Sequence, residues 1–200
     1  KYPLVIDPLL IFSTFTGSTA DNWGYTATYD RSGNMYTGGI AHSAGYPVTT
    51  GAYQANFADG YDVNGGTSIY ASDICISKFN ATGTALVYST YLGGSANETP
   101  SSMVVNSNDQ LVVYGRTDSK DFPVSVGSYD VNFNGGRDII VSKFSFGGSL
   151  LASTFVGGSD EDGVNYNAAE DMRGSLKYNY GDDSRGEIIA DSYNNIYIAS

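Results

Sequence analysis

Leu86-Val87-Tyr88-Ser89-Thr90-Tyr91-Leu92-Gly93-Gly94-Ser95 decides the reading of this chain, because nearly the same words occur twice more. Leu10-Ile11-Phe12-Ser13-Thr14-Phe15-Thr16-Gly17-Ser18 precedes it, and Leu150-Leu151-Ala152-Ser153-Thr154-Phe155-Val156-Gly157-Gly158-Ser159 follows. In each copy an apolar and aromatic run ends at glycine, the pattern of a strand that stops at a turn of unusual backbone angle. The leucines at 10, 86 and 150 set periods of 76 and 64 residues. Such a period holds one small sheet per copy, and radial arrays of such sheets are propellers.

Working outward, Thr26–Asp30 and Asn34–Gly38 flank Arg31-Ser32-Gly33 as a hairpin, and Met103–Asn106 and Leu111–Tyr114 flank Asn108-Asp109 in the same way. Tyr46-Pro47-Val48 is answered by Phe122-Pro123-Val124, and Asp73-Ile74-Cys75-Ile76-Ser77-Lys78-Phe79 by Asp138-Ile139-Ile140-Val141-Ser142-Lys143-Phe144. The offset is 76 at the proline but 65 at the aspartate, so the first copy carries 11 extra residues near 61–72. A third copy recovers its first hairpin at Gly186–Asp191 and Asn195–Ile198, after an insertion within 166–185. Four strands per copy in two hairpins, with no helical period, predict an all-β fold: a β-propeller of four-stranded antiparallel blades. The blades are expected over about 24–92 and 101–156, with a partial blade over 186–200. Leu10–Thr16 is expected to be the last strand of a preceding blade or the closing strand of the ring. Residues 1–9, bracketed by Pro3 and Pro8, read as a linker or edge strand from a preceding domain. The whole reads as a fragment of a larger ring.

A net charge of −11 makes nucleic acid or an anionic membrane surface an electrostatically poor partner. With 25 Gly and 17 Tyr the composition suits a packed β core with many tight turns rather than disorder. One cysteine, Cys75, rules out an internal disulfide framework and any zinc spacing. No apolar run long enough to span a bilayer occurs, so direct membrane insertion is not expected.

The combination Asp-Ile-x-x-Ser-Lys-Phe, Leu-Val-Tyr-Ser-Thr-Tyr-Leu-Gly-Gly-Ser, Asp-x-x-Gly-Asn-x-Tyr-x-x-Gly and x-Phe-Pro-Val resembles the SBBP, or bacterial β-propeller, repeat family. The resemblance covers nearly the whole chain. Tyr2-Pro3-Leu4-Val5-Ile6-Asp7-Pro8 resembles the junction before such repeats in gliding-motility-associated and type 9 secreted surface proteins of Bacteroidota. The resemblance implies a propeller, export through outer-membrane machinery, and a place at the cell surface, and it transfers no catalytic residue. The chain departs from the pattern in its two insertions and at Ala199-Ser200, where Gly38-Gly39 and Tyr114-Gly115 stand in the earlier copies.

Residues that could carry chemistry are few. His42, the only histidine, reads as a solvent-exposed loop residue, and Cys75, which matches Ile140, as a buried structural thiol. Ser159-Asp160-Glu161-Asp162-Gly163 groups three carboxylates that Asp182 and Asp183 could join around calcium, though without an alternating Asp-x-Asp-x-Asp-Gly spacing; a solvated acidic turn is the plainer reading. The triplets at Asn80 and Asn97 match the N-glycosylation pattern and are set aside for a bacterial protein. Phe15, Tyr91 and Phe155 recur at one repeat position, and Phe79 and Phe144 at another, which predicts core packing between blades. Tyr166, Tyr178 and Tyr180 have no counterpart in the other copies and share the insertion with Glu170, Asp171, Asp182 and Asp183. Tyr166, Tyr178, Tyr180, Asp182 and Asp183 are therefore the candidate partner-binding residues, for a protein or glycan at the cell surface. No catalytic, cofactor-binding or metal-binding residue is assigned.

Two functions fit this reading. The first is a non-enzymatic propeller module of a large exported surface protein, acting as an adhesion or protein/glycan-binding scaffold. The second is a propeller glycan hydrolase or lyase with its site at the central channel mouth, which requires a pair of carboxylates facing substrate. No pair is marked by the sequence, and the sialidase-type Ser-x-Asp-x-Gly box is missing.

Overall fold

A computed structural model describes residues 9–58, 72–163 and 186–200. Among these residues the chain is all-β, without a helix. The strands are β1 Asn22–Tyr29, β2 Met35–Ala41, β3 Asp73–Phe79, β4 Leu86–Leu92, β5 Glu98–Val105, β6 Leu111–Thr117, β7 Asp138–Phe144, β8 Leu150–Val156, β9 Glu187–Ala190 and β10 Ile196–Ala199. They form two four-stranded sheets, β1-β2-β3-β4 and β5-β6-β7-β8, and a two-stranded sheet of β9 and β10, with every named strand pair antiparallel.

The ladders explain where the glycines fall. The register shifts between Gly24 and Thr26 in β1 and between Pro100 and Ser102 in β5. These irregularities carry both strands beyond the hairpin words and push the Trp23 and Thr99 carbonyls onto the places where side chains at 39 and 115 would begin. Gly39 and Gly115 are what that approach demands.

Each first hairpin is locked by one side chain. Asp30 Oδ1 accepts from the Ser32 and Asn34 amides, and its Oδ2 accepts from the Asn34 side chain and the Tyr36 hydroxyl. Asn106 does the same for Asn108 and Gln110, and Asp191 for Tyr193, Asn195 and Tyr197. Short polar side chains bonding their own turn are why Asp and Asn recur there.

The sheets stack through their first strands, with β5 beside β1 and β9 beside β5. Strand alternation supplies both interfaces of the middle sheet. Leu111, Val113, Ile140, Phe144 and Phe155 join Tyr36, Ile74, Ile76, Tyr88 and Leu92 of the first sheet, while Val112, Tyr114 and Ile139 cover Ile188 of the third. Tyr53 meets Phe144 edge-on, with ring centroids 6.1 Å apart. Lys78, wholly buried, holds Asp30 at 3.4 Å and donates to the Phe146 carbonyl of the next sheet.

Leu10–Thr16 corrects the sequence reading, for no strand forms between residue 9 and β1. In the two later copies this word pairs with Asp73–Phe79 or Asp138–Phe144, and no described residue offers such a partner to 10–16. Phe15 is correspondingly 96% exposed, against 2% for Tyr91 and 1% for Phe155. Tyr91 has Tyr46 and Phe57 beside it, and Phe155 has Phe122 and Phe133; nothing equivalent reaches Phe15 among the described residues. The segment nonetheless keeps its repeat position. Phe12 crowds Gly83 in the β3–β4 turn just as Tyr88 crowds Gly148 in the β7–β8 turn. Residues 1–8 lie outside the described residues.

Candidate functional site

In a sheet whose strands run in sequence order, the β2–β3 and β4–β5 connections leave from the same end, and the tight hairpins occupy the other. The long connections therefore gather on one end of the stacked sheets, where the chain crosses between sheets through Gly93-Gly94-Ser95 and Gly157-Gly158-Ser159. Polar side chains converge on both crossovers.

At the first, the Gly93 amide donates to Gln54 Oε1 at 3.0 Å, the Gly94 amide to Glu98 Oε2 at 3.1 Å and the Ser95 amide to Asp121 Oδ1 at 2.8 Å. Glu98 Oε1 also accepts from the Thr117 and Ser119 hydroxyls, and Asp73 Oδ2 from the Ala58 amide and the Gln54 side chain. Asp73 and Glu98 are both wholly buried. A methyl group on Gly93 would meet Glu98 Oε2 at 2.5 Å and Asp73 Oδ1 closer still. Burial, with the Asp73 charge adding to it against the hydroxyl donors, pushes the Glu98 carboxyl up to about 8. Asp121 moves the other way: its bonds from Ser95 outweigh the effect of burial and hold it below the usual carboxylate range.

The second crossover repeats the plan with different residues. Asp138 Oδ2 accepts from the Asn134 amide at 2.8 Å, and Asp162 Oδ2 from the Gly158 amide at 2.6 Å. A methyl group on Gly157 would stand 2.7 Å from both Asp138 Oδ1 and Asp162 Oδ2. Asp138 and Asp73 thus occupy the same place in their sheets, as do Asp162 and Glu98.

Of the residues singled out in the sequence, Tyr166, Tyr178, Tyr180, Asp182 and Asp183, with Glu170 and Asp171, lie outside the described residues. In Ser159–Gly163 the Asp160 backbone carbonyl accepts from the Gly136 amide, the Glu161 backbone forms a parallel β-bridge with Arg137, and the Asp162 carboxylate accepts from the Gly158 amide. Among the described residues no three His, Cys, Asp or Glu side chains converge as a ready metal site. His42 is half-buried rather than open to solvent, edge-on to Trp23 at 4.7 Å, with its amide bonded to the Asp21 carbonyl. Cys75 is buried, and burial pushes its thiol up to about 12, so it is not a thiolate at neutral pH. The buried acid pairs were missed from the sequence. Their signal was available: an Asp opens each third strand, and an acid stands four residues after each second glycine, at Glu98 and Asp162.

No family model matches this chain, and no curated protein matches it.

Proposed function

We propose that this chain is a non-enzymatic β-propeller module of the SBBP repeat type, part of a large exported cell-surface protein, acting as an adhesion or protein/glycan-binding scaffold. The observation that carries the reading is recurrence. Two acids at equivalent places, Asp73 with Glu98 and Asp138 with Asp162, crowd the equivalent glycine at both crossovers. A catalytic constellation in an array is singular, whereas a device repeated in every unit is framework. The hydrolase reading needs a carboxylate pair that substrate can reach. The Asp73–Glu98 pair has no exposed surface and spends its oxygens on the crossover.

The ring rests on the stacking of successive sheets through their first strands. It also accounts for a cavity of about 260 Å³ lined by Val112, Tyr129, Val141, Lys143, Ala152 and Ile196. On the first sheet the corresponding side chains are covered by Phe144 and Phe146 of the second. A further outer strand pair fills the cavity in the same manner under this reading.

Recognition is assigned to the long connections, and above all to 166–185, whose Tyr166, Tyr178, Tyr180, Asp182 and Asp183 have no structural duty in the repeat pattern. Tyrosine faces offer contact area at low entropy cost, and the carboxylates favour a cationic partner. The test replaces 166–185 by a short Gly-Ser turn and compares binding to bacterial-surface glycans and to surface-protein extracts. Loss of binding with an unchanged unfolding midpoint is expected. Unchanged binding on an intact fold overturns the assignment, and turnover of any glycan by the chain overturns the non-enzymatic reading.

A further inference from the structure

The β6–β7 connection reads Asp130-Val131-Asn132-Phe133-Asn134-Gly135-Gly136-Arg137-Asp138. Oxygen-bearing side chains stand at the first, third, fifth and ninth places, with glycine at the sixth. Loops that wrap a hard cation use this alternation, because successive odd positions of a tight loop face its centre and the sixth must turn sharply. The folded loop has that form. Asp130 Oδ1 accepts from the Asn132 amide at 2.9 Å, the Asn134 side-chain amide lies 2.6 Å from Asp130 Oδ2, and the Asn134 backbone amide reaches Asp138. The Asp160 carbonyl presses on the place where a side chain at 135 would begin, so only glycine fits.

A second observation points independently to a ligand. The side chain of Asp138 is wholly buried, yet its Oδ1 has no hydrogen-bond partner among the described residues. That oxygen is aimed at the point over Gly157 that Asp162 Oδ2 also approaches at 2.7 Å. A buried carboxylate oxygen left without donor or cation is costly. The adjacent Arg137 is engaged elsewhere, its Nε held by Asp118 Oδ1 at 3.0 Å.

The first sheet fills the same place with different residues. Gln54 stands where the second sheet has Asp130; both backbone amides take the hydroxyl of the equivalent threonine, Thr90 or Thr154, at 2.9 Å. The Gln54 side chain then donates to Asp73 and accepts from Gly93, closing the site with a neutral amide, and Ala58 stands where Asn134 would be. The second sheet replaces that amide by a carboxylate and the alanine by another oxygen ligand. It thereby exchanges a neutral amide for a second carboxylate beside Asp138 and gathers negative charge there.

We propose that the β6–β7 connection is a calcium site, with Asp130, Asn132, Asn134 and Asp138 as side-chain ligands. Calcium suits the set better than magnesium, because carboxylates, amides and loop carbonyls make an irregular oxygen cage rather than a strict octahedron. The Asn134 amide turns on binding, so that its oxygen replaces its nitrogen toward the centre.

The test uses the whole 200-residue chain, stripped of metal, titrated with calcium chloride and followed by calorimetry and by thermal unfolding. One saturable site is expected, with affinity of roughly 10⁻⁴ to 10⁻³ M as in extracellular modules. Asp130→Asn and Asn134→Ala should each weaken it at least tenfold, and Asp109→Asn, in a distant turn, should leave it unchanged. Asp138→Asn should unfold at a higher temperature than the parent without calcium and lose the calcium-dependent rise. Absence of saturable binding at millimolar calcium by the folded parent overturns the proposal. So does binding that survives both Asp130→Asn and Asn134→Ala; these loop side chains are outside the core, so their variants remain readable if Asp138→Asn fails to fold.

Discussion

Asp73 Oδ1 and Glu98 Oε2 crowd one point, the place where a methyl group on Gly93 would sit. The glycine that follows the fourth strand is thus fixed by two buried acids and not by the unusual backbone angle expected from the sequence, since its φ is not positive. Gly93→Ala should cost about 2 kcal/mol or more, the scale of overpacking in a closed interior. Urea midpoints of Gly93→Ala and of Gly51→Ala separate this from backbone effects, because Gly51 has positive φ but nothing near its missing side chain.

The same pair sets a pH dependence opposite in sign to ordinary acid denaturation. Glu98 ionises near 4.5 when free and near 8 when folded. The folded state therefore binds the extra proton, and its contribution is complete at acid pH, declines as pH rises from about 4.5, and is exhausted above about 8. Glu98→Gln keeps an acceptor for Thr117 and Ser119 but cannot ionise. Relative to the parent its melting temperature should rise between about pH 5 and pH 8, and the gap should level off above that. A gap that does not change with pH would place the shared proton elsewhere.

Lys78 and Asp30 form the other buried charge pair, 3.4 Å apart. Burial lowers the Lys78 ammonium while Asp30 pulls it back up, and the bonds from Asn34 and Lys78 hold Asp30 below its usual range despite burial. Lys78→Met should destabilise by about 3 kcal/mol because it strands a buried carboxylate, and Lys78→Met with Asp30→Asn should recover part of that loss. Denaturation of both single variants and the double closes the cycle.

Aromatic residues at one repeat position should divide by environment. Tyr91→Ala or Phe155→Ala should cost roughly 3 to 5 kcal/mol, as should Phe144→Ala at the other recurring position, whereas Phe15→Ala should fall within about 0.5 kcal/mol of the parent. Equal losses at Phe15 and Tyr91 would show that 10–16 is paired in solution.

That contrast marks how far the sequence could be read. Recurrence located all ten strands found among the described residues, because a repeated apolar word with repeated turn residues leaves few alternatives. It failed at Leu10–Thr16, whose letters match Leu86–Leu92 closely, since a strand is a relation between two segments and its letters describe only one. The acid pairs were illegible for a related reason. Asp73 and Glu98 are 25 positions apart, and what makes them notable is the burial produced by a glycine between them, which no local pattern encodes. The spacing at Asp130–Asp138 is legible too, but two of its four oxygen-bearing side chains are the uncharged Asn132 and Asn134, so it stands out less than the clustered acids at Ser159–Gly163.

In both large sheets every ladder joins strands that are consecutive in the chain. The hairpins close over tight turns, and the longer connections over 42–72 and 118–137 add little, because closure entropy grows only slowly with loop length. A sheet can accordingly be completed from its own four strands before the next has left the ribosome or crossed a membrane. The molecule is suited to being built in the order in which it is delivered, with each finished sheet offering a face on which its successor condenses.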